Sequence, residues 1–529
     1  MNRREFMKTS AAVLALPAVA RARSSQVLRF IPQTDLAVLD PIWTTAYVTR
    51  NHGYLVFDTL YGQTGPDSDY KVTPQMAAGH TVEDNGRTWK LTLRDGLLFH
   101  DGQRVLARDC VASIRRWGAR DALGQTLMQR IDELSAPDDR TIQFRLKKPF
   151  GLLPDALGKA ASNMCAIMPE RLASIDPFKQ VTEMVGSGPF RFKADERVSG
   201  ARVVYERFTD YKPREGGGLS EWTSGPKVAH FDRIEWHVIP DPATAAAALQ
   251  QGEVDGWELP ISDLHPLLRR NDKLRIELVY EAGSTMVLRP NHLFPPFDNP
   301  EVRRALLPVI DQTEAMIAVV GTDPLLRKVP CGFFPPGSPM ASDAGMAVLG
   351  GTRDYDRAKR NLQAAGYKGE TVALMVPTDY PTLKAASDIA ANVMQRAGMS
   401  VDYQAADWGT VLQRRANKSP PAQGGWNAFC TSLSGNELAT PATHAPLRGN
   451  GGQAWFGWPT DAKIEALREE WFDAPDLTRQ KQIASEIQAQ AFRDVPYWPL
   501  GSFYNLSAYR ADLTGIVRGF PIFWGLRRV

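Results

Sequence analysis

The chain has little cysteine and none of the motifs that mark a common exported hydrolase. Its four cysteines, Cys110, Cys165, Cys331 and Cys430, are widely spread and include no CxxC pair. That spacing excludes a zinc frame and a dense disulfide scaffold, and leaves one long-range disulfide open in an oxidising compartment. There is no HExxH helix and no GxSxG elbow; VGSGPF approaches the latter only loosely. The histidines include no pair at helical metal spacing, His230 and His237 being the nearest. The run Gly216–Gly218 lacks the Lys-Ser/Thr of a phosphate loop. A surplus of one charge is also missing: 62 basic residues face 59 acidic ones, and no basic run forms a patch, which argues against a nucleic-acid partner. Beyond the first 22 residues no apolar stretch reaches the length of a membrane span.

What is present starts with an address. Arg3 and Arg4 precede Glu5, Phe6, Met7 and Lys8, then an apolar run from Ala11 to Ala20 and a small-x-small site at Ala20-Arg21-Ala22. A basic start, an apolar middle too short to cross a bilayer and a cleavage site together predict an export signal over 1–22. The paired arginines resemble the twin-arginine route, which carries folded proteins and places this chain in the periplasm. Roughly 500 residues then remain, enough for two or three domains.

The mature chain alternates short strands and helices. Trp89, Leu91 and Leu93 alternate with polar neighbours and predict a strand with one buried face, as do Ile142, Phe144 and Leu146. Val111, Ile114 and Trp117 recur at helical spacing after Asp109. A hairpin is expected to turn at Ser199-Gly200. Ile234, Trp236 and Val238 predict another strand, and Asp241, Pro242 and Gly252 supply the cap, first turn and close of the next helix. Strand, helix and strand signals from Thr371 to Ala405 form a βαβ unit, which implies a parallel pair with a covering helix. The class is α/β with more than one sheet, and REGGGLSEWTSGP is an exposed loop. His100-Asp101-Gly102 falls at a strand-to-helix turn, where such residues serve geometry. For chemistry, only Cys430 and His444 remain as a nucleophile and base.

Several segments occur together in one order: VFDTLY, GLLFHDGQRVLARDCVASI, VGSGPFRF, FDRIEWHVIPDPATAAAALQQGEVD, PPFDNPEVRRALLPVID and DYDRAKRNLQAAGY. Over nearly the whole mature chain they resemble the extracytoplasmic solute-binding proteins, family 5, of peptide and nickel ABC importers. The resemblance implies a two-lobed periplasmic binding protein fold with an additional domain, hence three domains with a discontinuous central one. Domain I combines residues 26–59, 189–284 and 500–529; domain II occupies 60–188 and domain III 285–499. It also implies a small peptide or peptide-like solute, an ABC permease and its ATPase as partners, a monomer, no cofactor and no covalent chemistry.

A cleft between two lobes encloses a small ligand with aromatic walls and a few oriented polar groups. Trp408, Trp426, Trp455 and Trp458 belong to the lobe expected to line it, and Trp426 matches the family's Gly-Trp segment at the pocket. In peptide-binding members an aspartate three residues later pairs with the peptide's ammonium; here that residue is Phe429. Ala428, Cys430 and Thr431 beside it are not acidic either, and Glu437 substitutes only if the loop folds back. An unpaired buried cation costs several kcal/mol, so a non-peptide solute such as an opine, an oligosaccharide or a nickel chelate is the alternative. The other expected ligand contacts are Gly283 and Ser284 at the return into the second lobe, Asn427 and Thr431 as neutral donors or acceptors, and His444 and Arg448 in the following loop. Arg448 suits a carboxylate bidentately. The rival from another class is an exported hydrolase acting through Cys430 and His444.

Overall fold

The strand over Trp89, Leu91 and Leu93 forms as the alternation requires. It runs from Thr88 to Leu93 and buries those three side chains. The computed structural model describes residues 26–215, 221–351 and 353–529. The expected signal over 1–22 lies outside the described residues, as does the centre of the glycine-rich loop. Helix Ala107–Gly118 follows, with the Asp109 carboxylate accepting from the Leu106 amide at 2.9 Å. Helix Pro242–Gln251 starts at Asp241, whose side chain accepts from Thr244 N, and closes at Gly252 in the left-handed region. Strands Val372–Pro377 and Val401–Ala406 are parallel and joined by helix Pro381–Arg396, the expected βαβ unit. His100 bridges the Gly186 and Gly188 backbones at its turn. All four cysteines are buried free thiols, so none forms the long-range disulfide left open above.

Three sheets carry the molecule. A seven-stranded mixed sheet runs Leu274–Glu277, Ser507–Arg510, Gly256–Trp257, Val27–Ile31, Arg233–His237, Arg202–Arg207 and Phe190–Phe192. It forms the first lobe. Beside it an antiparallel four-stranded sheet orders Ala77–Glu83, Thr88–Leu93, Thr141–Leu146 and Ile131–Ser135. The second lobe is built on a six-stranded sheet of Arg327–Lys328, Trp498–Phe503, Ser284–Pro290, Ala428–Ser434, Val372–Pro377 and Val401–Ala406.

Two segments cross between the lobes, and they are paired on both sides. In the first lobe Leu274–Glu277 is antiparallel to Ser507–Arg510, ending at Glu277 opposite Ser507. In the second lobe Ser284–Pro290 is antiparallel to Trp498–Phe503, beginning at Ser284 opposite Phe503. Between these ladders lie only residues 278–283 on one crossing and 504–506 on the other. Gly283 O and Tyr504 N still bond to the second lobe, at Gly435 N and Leu326 O, but over these residues the two crossings make no ladder pairs with each other, which is what a hinge needs. Gly283 sits at the junction with φ +61°, and a Cβ there would meet Phe503 O at 2.8 Å and the Tyr504 ring at 2.9 Å. The left-handed backbone alone costs a residue with a side chain about 1–2 kcal/mol. Gly283→Ala is therefore expected to lower the unfolding free energy by at least ~1 kcal/mol in urea titrations; an unchanged midpoint would show that the crossing relaxes freely.

Candidate functional site

Val27–Ile31 and Gly256–Trp257 are adjacent parallel strands, and the chain leaving their carboxyl ends faces the second lobe. That end of a parallel pair is where open α/β sheets place ligands. Gln33 follows the first strand and Glu258 the second. The Glu258 carboxylate accepts from Gln33 N at 2.8 Å and from Asn51 Nδ2 at 3.2 Å. Asn51 and its neighbour Arg50 lie on helix Tyr47–Val56, whose residues from Val48 onward are all buried.

Burial makes these charges unusual. Arg50 is 4% exposed and donates through Nε and Nη2 to Asn51 Oδ1, while Nη1 has no partner. Its guanidinium stacks over Phe520 at 3.9 Å and Tyr47 at 4.2 Å. From the second lobe comes Arg415, 1% exposed, after helix Trp408–Arg414. Its Nη2 donates to the hydroxyls of Thr44 and Thr45 at 3.1 Å each, and its Nε has no partner. Phe456, Trp408 and Trp455 surround it. Loss of solvent draws the Arg415 pKa down to about 9.

Four adjoining cavities run between the lobes. One of about 60 Å³ is bordered by Arg50, Glu258, Tyr280, Gly283 and Ser284. A smaller one of about 20 Å³ is bordered by Arg415, Thr431, Trp408 and Trp455. Gln33, Tyr47, Tyr380 and Ser432 belong to both walls. Larger spaces lie on either side, about 280 Å³ next to His265 and Tyr380, and about 610 Å³ next to Arg448, Trp455 and Trp458.

Around these spaces the lobes touch through directed bonds. Tyr47 O–H donates to Glu437 Oε2 at 2.6 Å and accepts from Ser434 N. Glu437 Oε1 takes Ser162 N at 2.6 Å and the Ser162 hydroxyl. Burial and the Glu437 charge both hold the Tyr47 phenol well above its ordinary pKa, so it stays a donor. Arg130 pairs with Glu469 at 2.7 Å near the rim. Trp455 Nε1 donates to Thr45 Oγ1 at 3.2 Å.

The residues singled out from the sequence fall in two groups. Gly283, Ser284 and Thr431 border the two central cavities. Arg448 borders the 610 Å³ space, where its guanidinium is held by Glu465 at 3.0 Å and by the Ala122 carbonyl. Trp426 is fully buried, its indole against Phe429 at 5.0 Å and Trp458 at 5.9 Å, with Nε1 donating to Arg415 O. It borders none of the four cavities. Asn427 ties Ala373 N to the Pro295 carbonyl. Phe429 packs between Trp426 and Trp455.

Cys430 and His444 are not brought together. Cys430 lies in strand Ala428–Ser434 opposite Leu288, whereas His444 Nε2 meets Phe333 O and Tyr497 O–H. Burial pushes the thiol up to about 12 and the imidazole down to about 3, so neither ionises as a nucleophile and base require. Glu437 is occupied by Tyr47 and Ser162 and serves as a latch between the lobes.

Arg50, Glu258 and Arg415 were not singled out from the sequence. One signal was available: Arg50-Asn51-His52 interrupts a run from Tyr47 to Phe57 that is otherwise rich in apolar residues. A charge inside a buried helix calls for a partner.

Glu258 generates a pH prediction. Burial raises its carboxyl from 4.5 to about 7, against the lowering effects of Gln33 N, Arg50 and Asn51; Tyr380 and Tyr509 also face it. Between those values the folded chain holds a proton that the unfolded chain has lost, so this group makes stability fall as pH rises across that window. Urea unfolding of Glu258→Gln at about pH 5 and about pH 8 is expected to show a smaller loss than the parent chain; equal losses would place the Glu258 titration elsewhere.

The comparisons with known proteins agree with this arrangement. Residues 71–452 match the profile of bacterial extracellular solute-binding proteins, family 5 Middle. The chain is 35% identical over its full length, and over 99% of the other, to the probable peptide ABC transporter periplasmic-binding protein y4tO of Sinorhizobium fredii. It is 26% identical to the glutathione-binding protein GsiB of Pectobacterium atrosepticum, covering 86% of this chain and 85% of that one. The PBP AgaA of A. tumefacien R10, solved in complex with agropinic acid, superposes with a TM-score of 0.78 over 95% of this chain and 99% of its own, at 19% identity. Two sheets joined by paired crossings, buried charge between them and a profile match over most of the sequence have one explanation: the chain belongs to the bacterial extracellular solute-binding proteins, family 5.

Proposed function

We propose that this protein captures a small peptide or peptide-like solute between its lobes outside the cytoplasmic membrane and delivers it to an ABC permease driven by a cytosolic ATPase. The observation that carries the reading is the pair of buried, unpaired guanidiniums, Arg50 and Arg415, one from each lobe, bordering adjoining cavities. The Arg415 cavity has no acidic residue on its wall, and a guanidinium buried without a counter-charge costs several kcal/mol, a cost offset when a solute supplies one. The described residues contain no helix long and apolar enough to cross a membrane. We assign residues 26–59, 189–284 and 500–529 to domain I, 60–188 to domain II and 285–499 to domain III. The first 22 residues serve as a twin-arginine signal to the periplasm, and the protein acts as a monomer.

A relative at 35% identity carries the name of a peptide-transporter component, and that supports a peptide. A second reading, a non-peptide solute of the opine kind, is favoured by Phe429, which stands where an aspartate meets the peptide ammonium. The agropinic acid held by AgaA is in keeping with it. In both readings the solute leaves as it entered.

Mass spectrometry of material extracted from protein purified out of the periplasm tests the proposal. The extract is expected to contain one small solute that, added back to stripped protein, raises its melting temperature. At a hundredfold excess over Kd the gain is about 2.7 kcal/mol. Recovery of a chemically altered solute, or no stabilisation at saturating extract, would contradict it.

A further inference from the structure

The two crossings between the lobes are fastened at both ends. Gly519 N donates to Val279 O at 2.9 Å, and Phe523 of the same C-terminal segment packs on Phe30 at 5.0 Å, so the start of the first crossing is tied to the first lobe. At its far end Gly283 O accepts from Gly435 N at 2.9 Å, in the second lobe. The other crossing is divided in the same way. Tyr504 N donates to Leu326 O at 2.9 Å, and the Ser507 hydroxyl donates to Glu258 O at 2.8 Å. Between the fastened ends lie residues 280–282 and 505–506. The bond from Gly283 N to Tyr280 O at 3.3 Å is internal to the turn and ties it to neither lobe.

Trp222 sits against this junction and is fully buried. Its ring lies 6.1 Å from Tyr280, 5.1 Å from Phe520 and 5.8 Å from Tyr70. Its backbone is gripped from two sides. Trp524 Nε1 donates to Trp222 O at 3.0 Å, and Thr223 N donates to Gln63 O at 3.1 Å. A Cβ on Gly519 would run into the indole, so the C-terminal segment and the ring are in close contact. The placement is costly. Trp222 has φ +48°, in the left-handed region, and its Nε1 has no partner; no other tryptophan among the described residues combines the two. Such strain persists only where the surroundings enforce it, and it clusters at parts that move. Arg518 adds pairs to Glu281 and, at 2.7 Å, to Asp67, but these are open to water and weak. The buried indole and the Gly519 N–H bond carry the restraint.

We infer that Trp222 and residues 518–520 form a strap that confines hinge bending to residues 280–282 and 505–506, with Trp222 as the positioning residue for Tyr280. This rests on the receptor reading above and goes beyond it. So short a pivot leaves the open form few orientations to give up when the lobes close. Tyr280 also borders the central cavity next to Arg50, so the strap fixes that wall as well. Removing the indole frees more of the first crossing. The empty protein then samples a wider range of openings, and the fraction competent to close on a solute falls.

Distances between nitroxide labels in protein stripped of solute test this. One pair, Val198→Cys with Leu477→Cys, spans the lobes; a second, Val198→Cys with Leu267→Cys, lies within the first lobe, and all three positions are exposed. Trp222→Ala is expected to widen the interlobe distance distribution about twofold and to leave the pair within the first lobe unchanged. Trp222→Phe keeps a ring against Tyr280 and should give a width between those of the parent and Trp222→Ala; it decides the matter alone if Trp222→Ala does not fold. The comparison of the two pairs is the readout, since a merely structural role for Trp222 would broaden both. Equal interlobe widths in the parent and the variants, or equal broadening of both pairs, would overturn the inference and leave the receptor reading in place. Adding periplasmic extract separates the two readings. The parent's interlobe distances should shorten; if they do not, the receptor reading falls and the inference falls with it.

Discussion

Everything in this molecule depends on two neighbouring strands that pass from one sheet into the other while staying paired on both sides. An antiparallel pair resists shear and twist between its members but bends where the ladder is interrupted. Here the interruption is confined to residues 278–283 and 504–506. Each lobe can then be a rigid, well-packed body, and the motion between them has few directions. Gly283 shows the constraint locally: the crossing is so tight that a Cβ would collide with the opposite strand's carbonyl.

A hinge of this kind places an unusual demand on the facing surfaces, which must be stable both in water and against each other. The contacts that meet the demand are polar and directed. Glu437 accepts from Tyr47 and from Ser162 twice over, so the second lobe's carboxylate loses little on leaving water. Arg415 is treated differently, with two threonine hydroxyls and aromatic faces in place of a carboxylate. An apolar residue of similar size would serve packing better, since an unpaired buried charge destabilises. Its retention makes sense when its counter-charge arrives from outside. The contrast with Arg289, satisfied by four carbonyls, separates an arginine that holds the fold from one available to a solute.

Much of the fold was legible because the relevant signals are local. Alternation at Trp89, Leu91 and Leu93, the Asp241 cap with Pro242 and Gly252, and the βαβ unit beginning at Val372 depend on neighbours within one element. The family resemblance added what locality cannot give, the order of segments in two lobes. The site was less legible. Trp426 follows the family's pattern in sequence, yet its indole rests beneath Phe429 and Trp458, and ring orientation depends on packing that no spacing encodes. Glu258 and Gln33 come within 2.8 Å only because two parallel strands end side by side, 225 positions apart in the chain. Arg415 meets Thr44 and Thr45 only across the closed lobes. Contacts made between lobes have no periodicity and leave no mark in the sequence beyond a charged residue in an apolar setting.

The central claim is mechanical: an unreacted solute holds the lobes together by supplying the charge they lack. The most direct measurement is the distance between nitroxide labels on exposed positions of opposite lobes, for example at Val198→Cys and Leu477→Cys, since the four natural cysteines are all buried. Titration with the periplasmic extract is expected to shift the distance distribution toward its shorter component, and removing the solute should reverse the shift. A distribution that does not respond to saturating solute would contradict the account.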